Sequence, residues 1–304
     1  MNLFERAGRS CCRKPVRSLL LLLVVCLISL LFLSGMTSRS ANIGAKDSTR
    51  QAIGAGFLLE YNPANRSQRI EEASEKISEL YEDGQGSYGG VHQEKITVNG
   101  SENWSVYTDN SFESLKTEDI EKIAETKGIA DYNITTVPTA VKPADFERIE
   151  DADTDQTNDF RGVTLIGNRD MALDANVLSG NVTIKEGRMT TKGDANVCVI
   201  SEELAEKNGL KVGDRMRFHP LKEEEPVQEA EIVGIYQVQE PMQPYMSGDT
   251  FRWENVIFTD LDFPAKAEQD DPLYEKAYFK VADVDDYEAV KDAIRKTDME
   301  WEWY

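Results

Sequence analysis

The hydrophobic pattern of the chain begins with one long apolar run near its start. No charged residue occurs from Ser18 to Ser38, a stretch of 21 residues. As an α-helix this run is roughly 30 Å long, the thickness of a bilayer's hydrocarbon core, which predicts a transmembrane helix. Residues 19–33 alone have the upper length of a signal peptide, but residues 34–37 make a poor cleavage site. We therefore favour a retained anchor over a cleaved signal.

Beyond this run, short apolar and alternating segments bounded by Gly, Pro and Asn predict many strands. The segments at 95–98 and 104–108 are typical of a hairpin whose loop is longer than the tight two-residue type. Residues 84–90, which include four glycines, are expected to form a flexible loop. The remaining predicted strands cover residues 57–61, 129–137, 163–167, 181–185, 197–201, 215–218, 230–238, 255–260 and 277–281.

Helix signals lie between these strands. Apolar residues recur at helical spacing from Ile70 to Leu80. Thr117, Ser201 and Asp283 each stand where an N-cap side chain is expected, ahead of a short amphipathic segment.

These elements predict an α+β fold preceded by one transmembrane helix, with a strand-rich subdomain inserted into an α+β part. The predicted division follows the composition along the chain. It places a cytoplasmic basic lead at 1–17, the transmembrane helix at 18–38, a stalk at 39–56, the α+β part at 57–160 and 250–304, and the insert at 161–249. Residues 150–159 form an acidic linker between the two parts.

The charge of the chain is divided unevenly. Five basic residues and one acid precede the apolar run, which places the N-terminus in the cytoplasm. After residue 17, 29 basic and 54 acidic residues give a formal charge of −25. A body this acidic is repelled by nucleic acid, so nucleic-acid binding is excluded.

The cysteines indicate the compartment. Only Cys198 lies in the large downstream part, so no internal disulfide is available there. This is typical of a bacterial extracytoplasmic domain rather than of a secreted eukaryotic one. Five N-x-S/T sequons, at Asn65, Asn99, Asn103, Asn133 and Asn181, are the opposing signal.

No residue pattern predicts catalysis. His92 and His219 are the two histidines, and neither lies near a G-x-S-x-G nucleophile motif. Cys198 stands apart from any H-x-x-x-H or C-x-x-C spacing, which disfavours zinc. No Walker motif for ATP is present. We assign no catalytic, cofactor-binding or metal-binding residue and expect no cofactor and no enzyme activity.

A calcium loop is a weaker alternative. Asp151, Asp153 and Asp155 share the D-x-D-x-D start of such a loop, but Gln156 and Gly162 stand where it needs Gly and Glu. We interpret the segment as a solvated acidic linker.

The most informative segment runs from Gly167 to Phe218. Gly187 closes a strand, a polar turn follows, and an apolar strand leads into a short helix containing Leu204 and Ala205. A V-G-D turn and another strand complete the module. The pattern-forming residues are Gly187, Arg188, Asp194, Leu204, Ala205, Val212, Gly213, Asp214, Val233 and Gly234. This pattern resembles the extracytoplasmic core domain of the MacB-like, FtsX-like ABC transporter permeases.

The resemblance implies a porter-like, non-catalytic extracytoplasmic domain that couples a partner ATPase to export or to mechanical work outside the cell membrane. It implies as partners an ABC ATPase subunit, the remaining permease helices or a second permease copy, and the lipid bilayer, with a peptide, lipoprotein or drug as cargo. Family residues at the matching positions are structural, so they mark a fold rather than a reactive site.

Two alternatives stay open at this point. The sequence stops at Tyr304, about where a second membrane helix is expected to approach. The chain is then either a truncated permease or a single-span extracellular sensor or adaptor that binds a peptide or cell-wall component. An anchored hydrolase is the third class, for which no nucleophile–base pair is evident.

Overall fold

The structure is a computed structural model that describes residues 55–304, except 99, 158 and 223–225, and the isolated positions 23, 26, 28 and 29. The chain divides into two units, Met1–Gly54 and Ala55–Tyr304. The predicted lead, most of the anchor at 18–38 and nearly all of the stalk at 39–56 lie outside the described residues. Among the residues that are described, no helix has the length and apolar character needed to cross a bilayer.

Thirteen strands are present in the described part of the chain. They are β1 (Gly56–Leu59), β2 (Gly86–Tyr88), β3 (Val91–Val98), β4 (Ser101–Thr108), β5 (Ile129–Thr136), β6 (Thr139–Pro143), β7 (Val163–Asn168), β8 (Val182–Gly187), β9 (Val197–Ser201), β10 (Arg215–His219), β11 (Gln228–Val238), β12 (Val256–Asp260) and β13 (Tyr274–Val281).

Six α-helices accompany them between residues 55 and 304. They are α1 (Arg66–Leu80), α2 (Thr117–Ala124), α3 (Ala175–Leu178), α4 (Glu202–Asn208), α5 (Phe263–Glu268) and α6 (Tyr287–Ile294). Helices α4 and α5 contribute buried residues to the main core cluster. Helices and mostly antiparallel strands occur together, so the α+β class expected from the sequence is confirmed at this level.

Six strands of the large sheet close into a barrel. The neighbours follow the order β7, β12, β9, β11, β10 and β6, and β6 pairs back onto β7 through Val141 and Val163. Closure gives every strand of the ring two neighbours and removes the free edges that an open sheet would expose. The interior is filled by apolar side chains, among them Leu165, Ile200, Phe218 and Ile257, all of them fully buried.

Of the four other strands that the structure describes in the large sheet, β8 pairs with β11 of the barrel, and three extend the barrel from β7. β5 contacts β7 at Thr135 and Asn168, and β13 and β1 continue outward from β5. Helices α2 and α6 cover this extension, and Ile120 of α2 and Ile294 of α6 share a core cluster with Phe279 of β13. β6 and β12 belong to the barrel, although the sequence-based division assigns them to the α+β part. The division at residues 160/161 and 249/250 itself stays a prediction.

A separate three-stranded sheet, β2–β3–β4, packs against α1. Only residues 99 and 100 stand between the paired residues Val98 and Ser101, so the expectation of a longer hairpin loop is wrong. Gly86–Tyr88 in the predicted flexible loop pairs with β3 as a strand. Thr117 is the first residue of α2 rather than its cap, because Lys116 takes the cap position without a side-chain hydrogen bond.

Ser201 is observed as the cap of α4, since its Oγ accepts a hydrogen bond from the backbone N–H of Leu204 at 3.1 Å. Asp283 accepts one from the N–H of Asp285 at 3.0 Å, but it caps the 3-10 turn Val284–Asp286 that precedes α6 and not α6 itself. Each cap satisfies a backbone donor that the first helical turn leaves without a partner.

Candidate functional site

A cleft opens where the barrel meets its extension. The cavity has a volume of about 390 Å³ and is lined by the β5–β6 connection, the residues after β10, the loop before β12, and α5 with the segment that follows it. Clefts at barrel mouths and at junctions between subdomains are frequent ligand sites. The side chains that define its character are Pro138, Phe160, Lys222, Tyr245, Met246, Phe251, Glu268, Asp270 and Asp271.

Three aromatic rings form one wall of this cleft. Phe160 meets Phe251 edge to face at a centroid distance of 5.7 Å, and Tyr245 lies 6.1 Å from Phe251 on the other side. Phe251 is buried, whereas Phe160 and Tyr245 are 40% and 55% exposed. The wall therefore presents aromatic surface to whatever enters the cleft.

A second compartment of about 180 Å³ adjoins the first, because Pro138, Tyr245 and Phe251 line both. It adds Met242 and Trp253 to the apolar surface. Asp174 lies in its wall and is only 3% exposed. Burial raises the pKa of the Asp174 carboxyl, although hydrogen bonds from Asn176 act in the opposite direction.

A buried ion pair holds the loop that carries the aromatic wall. Arg148 donates from Nη1 and Nη2 to the two carboxylate oxygens of Asp159, at 3.0 and 2.8 Å. Asp159 also accepts from the backbone N–H and the hydroxyl of Thr250, the neighbour of Phe251. Burial by itself raises the pKa of Asp159, but the hydrogen bonds from Arg148 and Thr250 outweigh it and hold the pKa well below its usual range. The base of the wall is therefore fixed by charged hydrogen bonds.

The charges around the cleft are mainly negative. Glu268, Asp270, Asp271 and Lys222 all line the larger compartment. Burial raises the pKa of Glu268, which accepts a hydrogen bond from the backbone N–H of Leu221 at 2.5 Å. In the smaller compartment Lys276 Nζ lies 3.3 Å from a carboxylate oxygen of Glu275, so that cation is already paired.

His92 lies in β3 and not in a loop, and the fold brings it between a hydroxyl and a carboxylate. Its Nδ1 is 2.8 Å from Ser87 Oγ, and its Nε2 is 2.6 Å from Asp109 Oδ2. The sequence did not suggest this nucleophile–base pair, since Ser87 meets His92 through β2–β3 pairing and Asp109 meets it through β3–β4 pairing. Ser87 is exposed, and none of the three residues lines either compartment of the cleft. The clear role of this arrangement is to tie β3 to β2 and to the turn at Asp109.

The other two singled-out residues are held in the barrel. His219 is half-buried at the end of β10, opposite Lys142 of β6. Cys198 is fully buried in β9, and burial raises the pKa of its thiol far above the usual range, so the reactive thiolate is not formed near neutral pH.

The side chains predicted to form a solvated acidic linker are exposed, namely Asp151, Asp153 and Asp155. Asp151 and Asp155 accept hydrogen bonds from the backbone two residues ahead, from Asp153 and Thr157. Within the described residues, no group of three or more His, Cys, Asp or Glu side chains is arranged to hold a metal ion.

The module from Gly187 to Gly234 explains the sequence pattern found there. The end of β8 and β11 approach so closely that a Cβ on Gly187 would lie 2.2 Å from the carbonyl oxygen of Val233. A Cβ on Gly234 would lie 2.2 Å from that of Arg188. Only glycine fits at both places. Arg188 donates to both carboxylate oxygens of Asp194, at 2.6 and 2.9 Å, which closes the polar turn.

The sequence matches the MacB-like periplasmic core domain family over residues 64–297. The chain belongs to this family. The match confirms the resemblance inferred from the module. In this MacB-like core domain, Gly187 and Gly234 allow a close approach of two strands, and the Arg188–Asp194 pair closes a turn, so these module residues have structural roles.

Individual relatives are more distant. An uncharacterized ABC transporter permease of Bacillus subtilis (strain 168), YclI, is 23% identical over 332 residues, covering 100% of this chain and 61% of its own. The chain thus spans less than two thirds of that relative. The extracellular domain of the ABC-type transporter YknZ from Gram-positive bacteria has 14% identity and a TM-score of 0.37, covering 60% of this chain and 80% of its own. The periplasmic region of MacB from Actinobacillus actinomycetemcomitans has 12% identity and a TM-score of 0.38, covering 60% of this chain and 71% of its own.

The residues that line the cleft carry no motif in the sequence. The loop at 239–249, with Pro241, Met242, Pro244, Tyr245 and Met246, is the one unusual signal among them. Its concentration of Pro, Met and Tyr, without the periodicity of a helix or strand, is the feature by which this wall of the cleft is recognisable in the sequence.

Proposed function

We propose that this chain is the extracytoplasmic part and first anchor of an ABC transporter permease, and that it couples ATP hydrolysis by a partner ATPase to export or to mechanical work outside the membrane. The observation that carries the proposal is the family match over residues 64–297, a range that contains the glycine-dependent module.

The positions of the two ends of the compact unit support the proposal. Ala55 accepts a hydrogen bond from the N–H of Val281 and packs against the same core cluster as Trp301 and Tyr304. Asn62 donates to the carbonyl of Trp303 at 2.9 Å. A domain whose ends lie near each other is suited to insertion between two membrane segments.

The proposed topology places residues 1–17 in the cytoplasm, one membrane pass at 18–38 and the acidic body outside. It rests on the basic residues before the apolar run and on the negative charge after it. The domain is non-catalytic in this proposal, and the work is done by the partner ATPase.

Cysteine labelling tests the topology. In a chain with Cys11, Cys12 and Cys26 replaced by Ser, single cysteines are introduced at Lys14 and at Leu178, which is exposed in the structure. A membrane-impermeant maleimide applied to intact cells is expected to label Leu178→Cys and not Lys14→Cys, while both react after lysis. Labelling of Lys14→Cys in intact cells, or protection of Leu178→Cys, contradicts the proposal.

Isolation of the full chain from its native membrane in mild detergent tests the coupling. We expect an ABC ATPase to co-purify with the chain. We also expect its rate of ATP hydrolysis to change when the body from Ala55 onward is removed. A correctly oriented chain that associates with no ATPase favours the single-span sensor or adaptor instead.

A further inference from the structure

The cleft brings an aromatic wall and a mainly acidic rim together. Its two compartments, of about 390 and 180 Å³, share Tyr245 and Phe251. The larger compartment alone, at about 390 Å³, lies in the range of sites that take a drug-sized molecule or a few residues of peptide.

Two of the three rim carboxylates are not ion-paired within the described part of the fold, whereas Lys222 and Lys142 act on the third, Glu268. Asp270 and Asp271 are exposed, and within the described residues neither has a Lys, Arg or His nitrogen within 4.0 Å. Carboxylates left without a cation beside an open cavity attract a positively charged group from outside. The charge of −25 on the whole body adds a long-range attraction for cations and repels anionic ligands.

The wall is suited to the same ligand. Tyr245 presents an exposed ring above the rim, and Trp253 lies in the adjoining compartment. Aromatic faces bind both apolar side chains and the ammonium or guanidinium groups of Lys and Arg. Because Arg148, Asp159 and Thr250 hold the base of the wall in place, little ordering is needed on binding.

From this charge and surface complementarity we infer that the cleft binds a cationic peptide segment, with its basic side chains at Glu268, Asp270 and Asp271 and its apolar side chains on Tyr245 and Phe251. This inference rests on the proposed function, in which such a peptide is what the permease moves or senses.

The test uses the full chain in nanodiscs of zwitterionic phosphatidylcholine, with empty nanodiscs as the blank. The probe is the peptide Gly-Lys-Phe-Gly-Lys-Leu-Gly-Lys carrying a neutral fluorophore, and binding is followed by fluorescence anisotropy. The matched probe has Glu in place of each Lys. We expect binding of the cationic probe that weakens as salt is raised, and no binding of the anionic probe.

Isosteric variants locate the site. The triple change Glu268→Gln, Asp270→Asn and Asp271→Asn removes three charges, and the amide oxygen at position 268 can still accept from Leu221. We expect the Kd of the cationic probe to rise about tenfold. The matched control is Glu71→Gln, Glu72→Gln and Glu75→Gln on the exposed face of α1, which changes the net charge equally and should leave the Kd nearly unchanged.

A second pair of variants tests the wall. Tyr245→Ala is expected to weaken binding about fivefold, whereas Tyr88→Ala, an exposed tyrosine on β2, is expected to leave it unchanged. Unaltered thermal unfolding of each variant shows that the fold is intact.

Three results overturn the inference: absence of binding by the cationic probe, equal binding of the two probes, or equal weakening by the cleft variants and their controls. If a chain that passes the topology and ATPase tests binds no probe, only the inference fails. If the probe binds at the cleft but no ATPase associates, the proposed permease function fails and the cleft assignment remains.

Discussion

The barrel and the three-stranded sheet are both antiparallel-rich sheets, but they differ in how their strands are covered. Every residue of β9 and of β12 is buried. In β3 only Val91 is buried, and its last five residues are exposed. Each barrel strand has neighbours on both edges and a filled interior, whereas the small sheet has α1 against one face near its base.

This difference shows where stability resides. A closed ring links strands that are distant in sequence, so losing one contact affects the whole ring. The small sheet depends on a cluster of four buried residues, Ala73, Ile77, Val91 and Phe112. We therefore expect the barrel to unfold cooperatively and the small sheet to open locally at a lower free energy.

Phe218→Ala should have the largest effect. Phe218 is fully buried in the barrel and meets Phe146 and Phe263 edge to face, at 5.6 and 5.7 Å. Removing the ring leaves a cavity in a closed core, so the free energy of unfolding should fall by about 3–5 kcal/mol. Denaturant unfolding followed by circular dichroism measures it, with Tyr88→Ala on the small sheet as the control. A loss no larger than that of the control would mean that the barrel core is not close-packed.

Asp159→Asn should have the next effect. The Asp159 side chain is 5% exposed and is paired with Arg148. Its loss leaves Arg148 with Glu150 as its carboxylate partner and gives the Thr250 donors a weaker acceptor, so the free energy of unfolding at neutral pH should fall by about 2–3 kcal/mol. Glu79→Gln, in an exposed pair with Lys76 on α1, should change it by less than about 0.5 kcal/mol.

The same variant has a pH signature. Because the pKa of Asp159 is lower in the folded state than in the unfolded state, its stabilisation is present above the unfolded pKa of about 4. It is lost as the pH falls from there toward the folded pKa. The difference between wild type and Asp159→Asn should therefore be constant from about pH 5 to 8 and shrink below about pH 4. An undiminished difference at about pH 3 would contradict the ion-pair explanation.

Val91→Ala tests local opening. Val91 of β3 is fully buried against α1, and its truncation should lower the stability of the small sheet by about 1–2 kcal/mol. Amide hydrogen exchange should become faster in β2, β3 and β4 and remain unchanged in β9 and β12. Equal acceleration in both regions would show that the two sheets unfold as one unit.

The two regions also differ in what the sequence could predict. β9 is read correctly as residues 197–201, because "VCVIS" is a continuous apolar run that leads into a helix capped by Ser201. β6 was missed, since "TAVKP" is short and ends in proline, and it becomes a strand only because β7 and β10 lie on its two sides. Barrel closure joins Phe218 to Pro143, a pairing that no local pattern contains.

The cleft was beyond sequence reasoning for the same reason. Pro138, Tyr245 and Asp271 come together only after the ring has closed, and each is an unremarkable loop residue on its own. The Ser87–His92–Asp109 contact likewise depends on the β2–β3 and β3–β4 registers. The family module was recognisable because its constraints are local, as in the bidentate pair of Arg188 with Asp194 six residues later.

The smallest effect is expected for the double change Ile96→Ser and Val98→Ser on the outer half of β3. Both side chains are apolar, but they are 38% and 46% exposed, and they lie opposite Asn103 and Ser101 of β4. Exposed side chains contribute little to folding, so the free energy of unfolding of the purified chain should change by less than about 0.5 kcal/mol. A loss of 2 kcal/mol or more would mean that another surface covers this face, since only burial gives an apolar side chain that much stabilising free energy. The small sheet would then resemble the barrel in being covered on both sides, and the contrast in burial between the two regions would not hold for the purified chain.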